Sequence, residues 1–202
     1  MTLRASYRLI APLYDLFVAR ALSRPRARSL ARVPRDGNLE VLVAGAGTGL
    51  DLPLLPRAHR YVALDLSRAM LSRARPRAAA LEMTFVEGDV QRMPFAGAAF
   101  DLVVLHLIVA VVPRPESCLA EIARVLRPGG RALVFDKFLR RGERAWLRRA
   151  LNPLARRIAT RTDVVLEDAL ASVPALTVTD DQPALAGGWF RLIELEKGET
   201  RG

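Results

Sequence analysis

Cysteine is almost missing from this chain. The single one, Cys118, excludes an internal disulfide and any multi-cysteine metal site. Histidine occurs only twice, at His59 and His106. Long apolar runs are missing too. The longest, residues 102–112, is interrupted by His106 and stops at Pro113, too short to cross a bilayer. Arg4, Tyr7, Arg8 and Asp15 break any apolar signal core in the first residues. Neither an internal repeat nor a low-complexity tract is visible. A cytoplasmic protein is expected.

What is present suffices for a globule. The 202 residues are 51% hydrophobic, enough for one domain with a substantial core. The net charge of +10 is segregated. Residues 1–35 hold eight arginines against Asp15 alone, and residues 137–161 hold Lys137 and eight arginines against Glu143. The remainder is acidic. Such segregation suggests an anionic partner, whether membrane phospholipid, nucleic acid or an acidic substrate. Solvated helix faces explain it equally well.

Strand and helix patterns alternate along the chain. Ile10, Leu13, Leu16, Phe17 and Ala21 recur at helical spacing over 5–22. "RPRARSLARVPRDGN" reads as an irregular basic connection, closed by the turn signal Asp36-Gly37. "LEVLVAG", a short buried run, "YVALDL", "EMTFVEGD", "FDLVVLHL" and "RALVFDKF" read as five strands. Ser67 can cap a helix running to about Ala80. Pro115 suits the first turn of another helix. That helix is expected to end at "RPGG", residues 127–130, with a glycine reversal. Helical patterns follow at 143–158 and 163–172. "LTVTDD" and "WFRLIELE" read as a closing strand pair, joined by a loop holding Pro183, Gly187 and Gly188. Continuous apolar strands alternating with helices predict an α/β fold with a parallel central sheet. Ligands of such sheets sit beyond the carboxyl ends of the strands.

That rule places "GAGTG", Gly45, Gly47 and Gly49, at the binding crevice. Glycines allow a sharp turn after a strand and leave bare backbone for a ligand. Dinucleotide sites use G-x-G-x-x-G; here the third glycine comes one residue early. A cofactor without pyrophosphate fits better. Asp65 ends the second strand, where a carboxylate can accept from both ribose hydroxyls of an adenosyl group or simply cap a helix. Asp89 ends the third strand and can accept from an adenine amino group, or make a turn after Gly88. Val90 and Met70 offer apolar surface to the ring.

The run "VLVAGAGTG…ALDLS…FVEGDVQRMPF…FDLVVLHL…RVLRPGGRALVFDKF" resembles class I S-adenosylmethionine-dependent methyltransferases over residues 40–138. The implied fold is Rossmann-like: a seven-stranded sheet, mostly parallel, with an antiparallel last strand and helices on both faces. The resemblance implies one methyltransferase domain over 1–202. Residues 1–36 would form a basic helical cap, 38–138 the cofactor-binding core, and 139–202 basic helices with the closing strands. It puts Gly45, Gly47 and Gly49 under the methionine moiety, Asp65 on the ribose and Asp89 at the adenine, with Leu66 among the contacts. The family usually carries an acidic residue two positions before the first glycine; here it is Val43. Asp51 is a candidate substitute.

Within the class, "YRLIAPLYDLF", "GAGTGLDLPLLP" and "LHLIVAVVPRP" resemble small bacterial phospholipid N-methyltransferases and their ubiquinone-type relatives. That group's short motif after the fifth strand has a histidine before phenylalanine; here it reads Asp136-Lys137-Phe138. The implied acceptor is a lipid or small molecule, with a phospholipid amine first. His106, ending the fourth strand, could act as base, orient the acceptor, or be a structural histidine. Tyr14, with Tyr7 nearby on the same helix, could line the acceptor site or pack in the core. His59 is expected at the surface. Asp136 and Lys137 face the crevice or form a strand-end ion pair. No Asn/Asp-Pro-Pro-Tyr follows the fourth strand, which argues against DNA amino methylation. The arginines at 140, 141, 144, 148, 149, 156 and 157 and the basic amino-terminal segment suit an anionic membrane surface.

Overall fold

A computed structural model describes residues 22–139 and 164–199. The expected helices over 5–22 and 143–158, Tyr7, Tyr14 and the seven arginines from 140 to 157 lie outside the described residues. In chain order the elements are α1 (Ser23–Leu30), β1 (Glu40–Ala44), β2 (Arg60–Asp65), α2 (Arg68–Ala74), β3 (Glu82–Glu87), β4 (Phe100–His106), α3 (Pro115–Val125), β5 (Leu126–Lys137), α4 (Leu166–Leu170), β6 (Leu176–Leu185) and β7 (Phe190–Lys197).

Seven strands form one sheet in the order β3-β2-β1-β4-β5-β7-β6. β1 pairs in parallel with both β2 and β4. β7 runs antiparallel to β5 and to β6, so it alone is reversed. Alternation along each buried strand divides the core between the two faces. Val41, Val43, Leu102 and Val104 pack with Ala74 of α2 and Leu30 of α1. Leu42, Ala44, Val103 and Leu105 pack with Leu119 and Ile122 of α3 and Leu166 of α4. The chain therefore leaves β1 toward one face and β4 toward the other. The gap between those departures is the crevice of a doubly wound sheet.

Local chemistry explains most boundaries. Ser67 is extended and its side chain accepts the Met70 N–H at 3.4 Å, opening α2. A tighter 3-10 turn over Arg75–Ala78 replaces the expected continuation to about Ala80. Pro115 occupies the first turn of α3. That helix stops at Val125, before "RPGG". Leu126 is already extended and pairs with Phe100, while Gly129, at φ +71°, makes the reversal inside β5. Pro183 lies in β6 rather than in a loop. β6 is the sheet edge, where a residue without an N–H breaks no ladder.

Two further expectations are corrected. The stretch read as an irregular connection contains α1, with Pro25 in its first turn. Its inward residues Arg26, Ser29 and Leu30 follow helical spacing, but two are polar, so no apolar stripe shows. His59 is buried, not at the surface. Its Nε2 lies 2.7 Å from the Pro34 carbonyl, and Leu39 N–H donates to Nδ1 at 3.3 Å. The ring thus clamps both ends of the 34–39 turn.

Candidate active site

The glycine loop follows β1 directly. Gly45, Gly47 and Gly49 all adopt positive φ, between +55° and +78°. Their surroundings differ. A Cβ at Gly45 would come within 2.6 Å of the Ile108 side chain, and one at Gly49 within 2.8 Å of Ala74 Cβ. A Cβ at Gly47 would meet nothing within 4 Å. Gly45 and Gly49 let protein approach the loop; Gly47 keeps its outer face open. Arg77 holds the loop from behind by donating to the Thr48 carbonyl.

Asp65 ties this loop to the next one. Its Oδ2 accepts the Gly47 N–H at 2.8 Å and its Oδ1 accepts the Ser67 N–H at 2.9 Å. An ionised carboxylate has about four acceptor positions, so about two remain for a ligand. Beside it Leu66 is 72% exposed, a large apolar side chain next to an acidic strand end. Met70 is half-buried and Val90 is buried in the core on the α3 face. Asp89 accepts the Gln91 N–H at 2.8 Å, and the Gln91 side-chain amide spans both its oxygens at 3.1 and 3.2 Å. Gln91 Oε1 in turn accepts the Arg114 N–H. Gln91 thereby joins the third strand's end to the segment leading into α3.

His106 ends β4 in a buried polar cluster that no local sequence pattern announced. Its Nδ1 lies 2.9 Å from Asp51 Oδ1, and its Nε2 lies 2.9 Å from Ser29 Oγ. Arg26 donates to the same Asp51 oxygen at 2.7 Å. Burial alone would raise the Asp51 carboxyl. Its charge and hydrogen-bond contacts with His106 and Arg26 win and hold it at about 2. Ionised Asp51 accepts from His106 Nδ1–H, which leaves Nε2 facing the Ser29 hydroxyl. Asp51, a candidate partner for the methionine amino group, is thus engaged by α1 and by His106. Val43, where the family's acidic residue would stand, is buried among apolar side chains.

Beyond these polar partners the His106 ring meets an apolar side chain. Phe135 meets its ring edge-on at 5.6 Å between centroids. Leu22, Phe135 and Leu192 form a small cluster with Leu107, Ala184 and Phe190. Asp136 turns to the other face and accepts backbone N–H groups from Ala110 and Lys137. Burial pushes the Cys118 thiol up to about 12, which keeps it protonated and unreactive. Among the described residues no group of three or more His, Cys, Asp or Glu side chains converges as a metal centre.

The open face at Gly47, the acceptor positions left on Asp65 and the exposed Leu66 fit an adenosyl cofactor carrying an amino-acid tail. Residues 42–134 match the family described as a methyltransferase domain. A phosphatidylethanolamine N-methyltransferase of Cereibacter sphaeroides is 32% identical over 190 residues, covering 92% of this chain and 93% of that one. A ubiquinone/menaquinone biosynthesis C-methyltransferase of Roseobacter denitrificans is 39% identical over 110 residues, 51% of this chain and 44% of that one. The solved S-adenosylmethionine-dependent methyltransferase of Mesorhizobium loti shares the fold with a TM-score of 0.62 at 16% identity, over 86% of this chain and 96% of that one. The chain belongs to the S-adenosylmethionine-dependent methyltransferases. It is an enzyme, and S-adenosylmethionine is its cofactor.

Proposed function

We propose that the chain methylates the amine of a phospholipid, with phosphatidylethanolamine as the first acceptor. The observation that carries this reading is the 32% identity to a phosphatidylethanolamine N-methyltransferase across more than nine-tenths of both chains. The geometry supports it. An amphiphilic acceptor needs a polar point beside apolar walls, and the His106 ring meets Phe135, which clusters with Leu22 and Leu192.

The cofactor supplies a sulfonium-activated methyl group, open to in-line attack by a lone pair. This chain would contribute position and a shaped site. The loop of Gly45, Gly47 and Gly49 would carry the methionine moiety on the open face at Gly47, Asp65 would hold the ribose and Asp89 the adenine amino group, with Leu66, Met70 and Val90 along the ring. His106 acts as base or orients the amine, because an ammonium nitrogen has no lone pair to attack with. Asp51 fixes its tautomer, and the Ser29 hydroxyl is the polar atom next to Nε2. Tyr14, outside the described residues, would line the acceptor side. The whole chain works as one methyltransferase domain in this reading.

Peripheral association with an anionic membrane, at the inner face for a cytoplasmic protein, belongs to the same proposal. Part of the basic amino-terminal segment is occupied internally: Arg26 pairs with Asp51, Arg32 with Asp180 and Glu194, and Arg28 donates to Gln182. The attraction to membrane would then rest mainly on the arginines from 140 to 157, and nucleic acid is the weaker partner. No helix among the described residues is long and apolar enough to cross a membrane.

The test is transfer of labelled methyl groups into vesicles of phosphatidylethanolamine mixed with an anionic phospholipid, beside demethylated quinones and nucleic acid. Label should enter the lipid amine, and more of it on anionic than on neutral vesicles. Label entering a quinone and not lipid would transfer the assignment to the second reading, favoured by the partial match to a quinone C-methyltransferase.

A further inference from the structure

Asp136 is a buried carboxylate that the cofactor site leaves unexplained. It lies near the carboxyl end of β5, on the α3 face of the sheet. Its Oδ2 accepts the Ala110 N–H at 2.9 Å and its Oδ1 accepts the Lys137 N–H at 2.8 Å. Ala110 belongs to the segment between β4 and α3. That segment opens with Leu107 at φ +59°, a left-handed conformation that costs a non-glycine residue stability and persists only where the surroundings enforce it. The Leu107 N–H is held by the Phe135 carbonyl at 2.8 Å, and Val111 and Val112 donate back to the Ile108 carbonyl. Ile108, next in the chain, fills the space that a Cβ on Gly45 would need. One end of the segment therefore touches the glycine loop, and its middle is tied to Asp136.

We infer that Asp136 is a positioning residue for methyl transfer: its carboxylate clamps the 107–112 segment so that Leu107 stays in the apolar cluster with Leu22, Phe135 and Leu192 on the acceptor side, and Ile108 stays against Gly45. The inference rests on the acceptor reading given under Proposed function. The clamp requires the ionised form. A protonated carboxyl would turn an O–H toward one of two N–H donors, and that contact would be lost. Burial pushes Asp136 up to about 6, against the pull of the Ala110, Lys137 and Val109 amides and the Lys137 charge. Among the described residues, the titratable groups facing it from other elements include Cys118 on α3, protonated at these pH values, and Arg191, opposite Asp136 on β7 and bound by Glu167 and Asp181. The 107–112 segment itself contributes no titratable side chain.

Two arms test the clamp. Backbone amide hydrogen exchange on the protein with S-adenosylmethionine reads the segment directly. Asp136→Asn should speed exchange at Ala110 by about tenfold or more, and the wild type should loosen in the same way below about pH 6, after correction for intrinsic rates. Steady-state kinetics on phosphatidylethanolamine vesicles reads the consequence. The variant's KM for the acceptor should rise about tenfold, and its Kd for S-adenosylmethionine should rise by a smaller factor, about threefold, because Ile108 also touches Gly45 of the cofactor loop. Unchanged exchange at Ala110 overturns the proposal, and so does faster exchange with unaltered acceptor kinetics. If the variant does not fold, the wild-type exchange profile decides: flat protection between about pH 5 and pH 8 overturns the clamp. Failure of the wild type to methylate phosphatidylethanolamine would count against that acceptor, and exchange at Ala110 would still judge Asp136.

Discussion

Replacing Asp65 by alanine should separate cofactor binding from folding. The carboxylate accepts two backbone N–H groups, from Gly47 and Ser67, and keeps about two acceptor positions for the ribose hydroxyls. Each hydrogen bond to a charged group contributes about 1.5–3 kcal/mol. Two such bonds set an upper range of about 3–6 kcal/mol, and neighbouring bonds do not add fully. The lower end, about 3 kcal/mol, already corresponds to a rise in Kd of about 150-fold. Loss of the acceptor for two partly buried amides should cost about 1 kcal/mol each. That lowers Tm by roughly 4–8 °C in a chain of this size. The assay is isothermal titration with S-adenosylmethionine and with the demethylated product, beside thermal denaturation of the same samples. Asp65→Asn retains one acceptor oxygen and should fall between, at about tenfold. A Kd within about threefold of wild type for Asp65→Ala, on a folded protein, would remove Asp65 from the ribose and refute the loop geometry as the basis of binding.

The three glycines should not respond alike. Gly47→Ala meets no protein atom within 4 Å, so it should weaken cofactor binding with a stability loss of only about 1–2 kcal/mol from its left-handed backbone. Gly49→Ala puts a methyl 3.0 Å from the Ala74 Cα and should destabilise by about 2–4 kcal/mol in denaturant titrations; equal stability of the two variants would sink this distinction. Asp51, held at about 2 against an ordinary value of 3.8, contributes stability that is present above about pH 4 and lost as pH falls toward about 2, worth on the order of 2 kcal/mol. Asp51→Asn should therefore be less stable than wild type at about pH 6, and the gap should close near about pH 2. Asp136 acts in the opposite sense. Its raised value means that stability grows as pH falls from about 6 to about 4, so Asp136→Asn should be no less stable than wild type near about pH 8.

Much of this protein was legible in the chain before folding. Short apolar runs marked the central parallel strands, because a strand buried on both faces cannot alternate with polar residues, whereas β3, at the sheet edge, does alternate. Gly45, Gly47 and Gly49 announced a backbone that must turn at positive φ, and all three do. Asp65 and Asp89 were locatable because strand ends on one side of a parallel sheet meet at one crevice. The fold decided the rest. α1 hid among arginines, since its inward Arg26 and Ser29 find their partners in Asp51 and His106, 25 and 77 residues away. His59 looked like a surface residue because the carbonyl of Pro34 and the amide of Leu39 that make its burial tolerable come together only when the 34–39 turn closes. Gly45 and Gly49 read as room for a ligand, and the packed chain fills that room with Ile108 and Ala74. Periodicity reports which side of an element is apolar. Which polar groups can be buried depends on partners brought from distant positions, and only the tertiary structure supplies them.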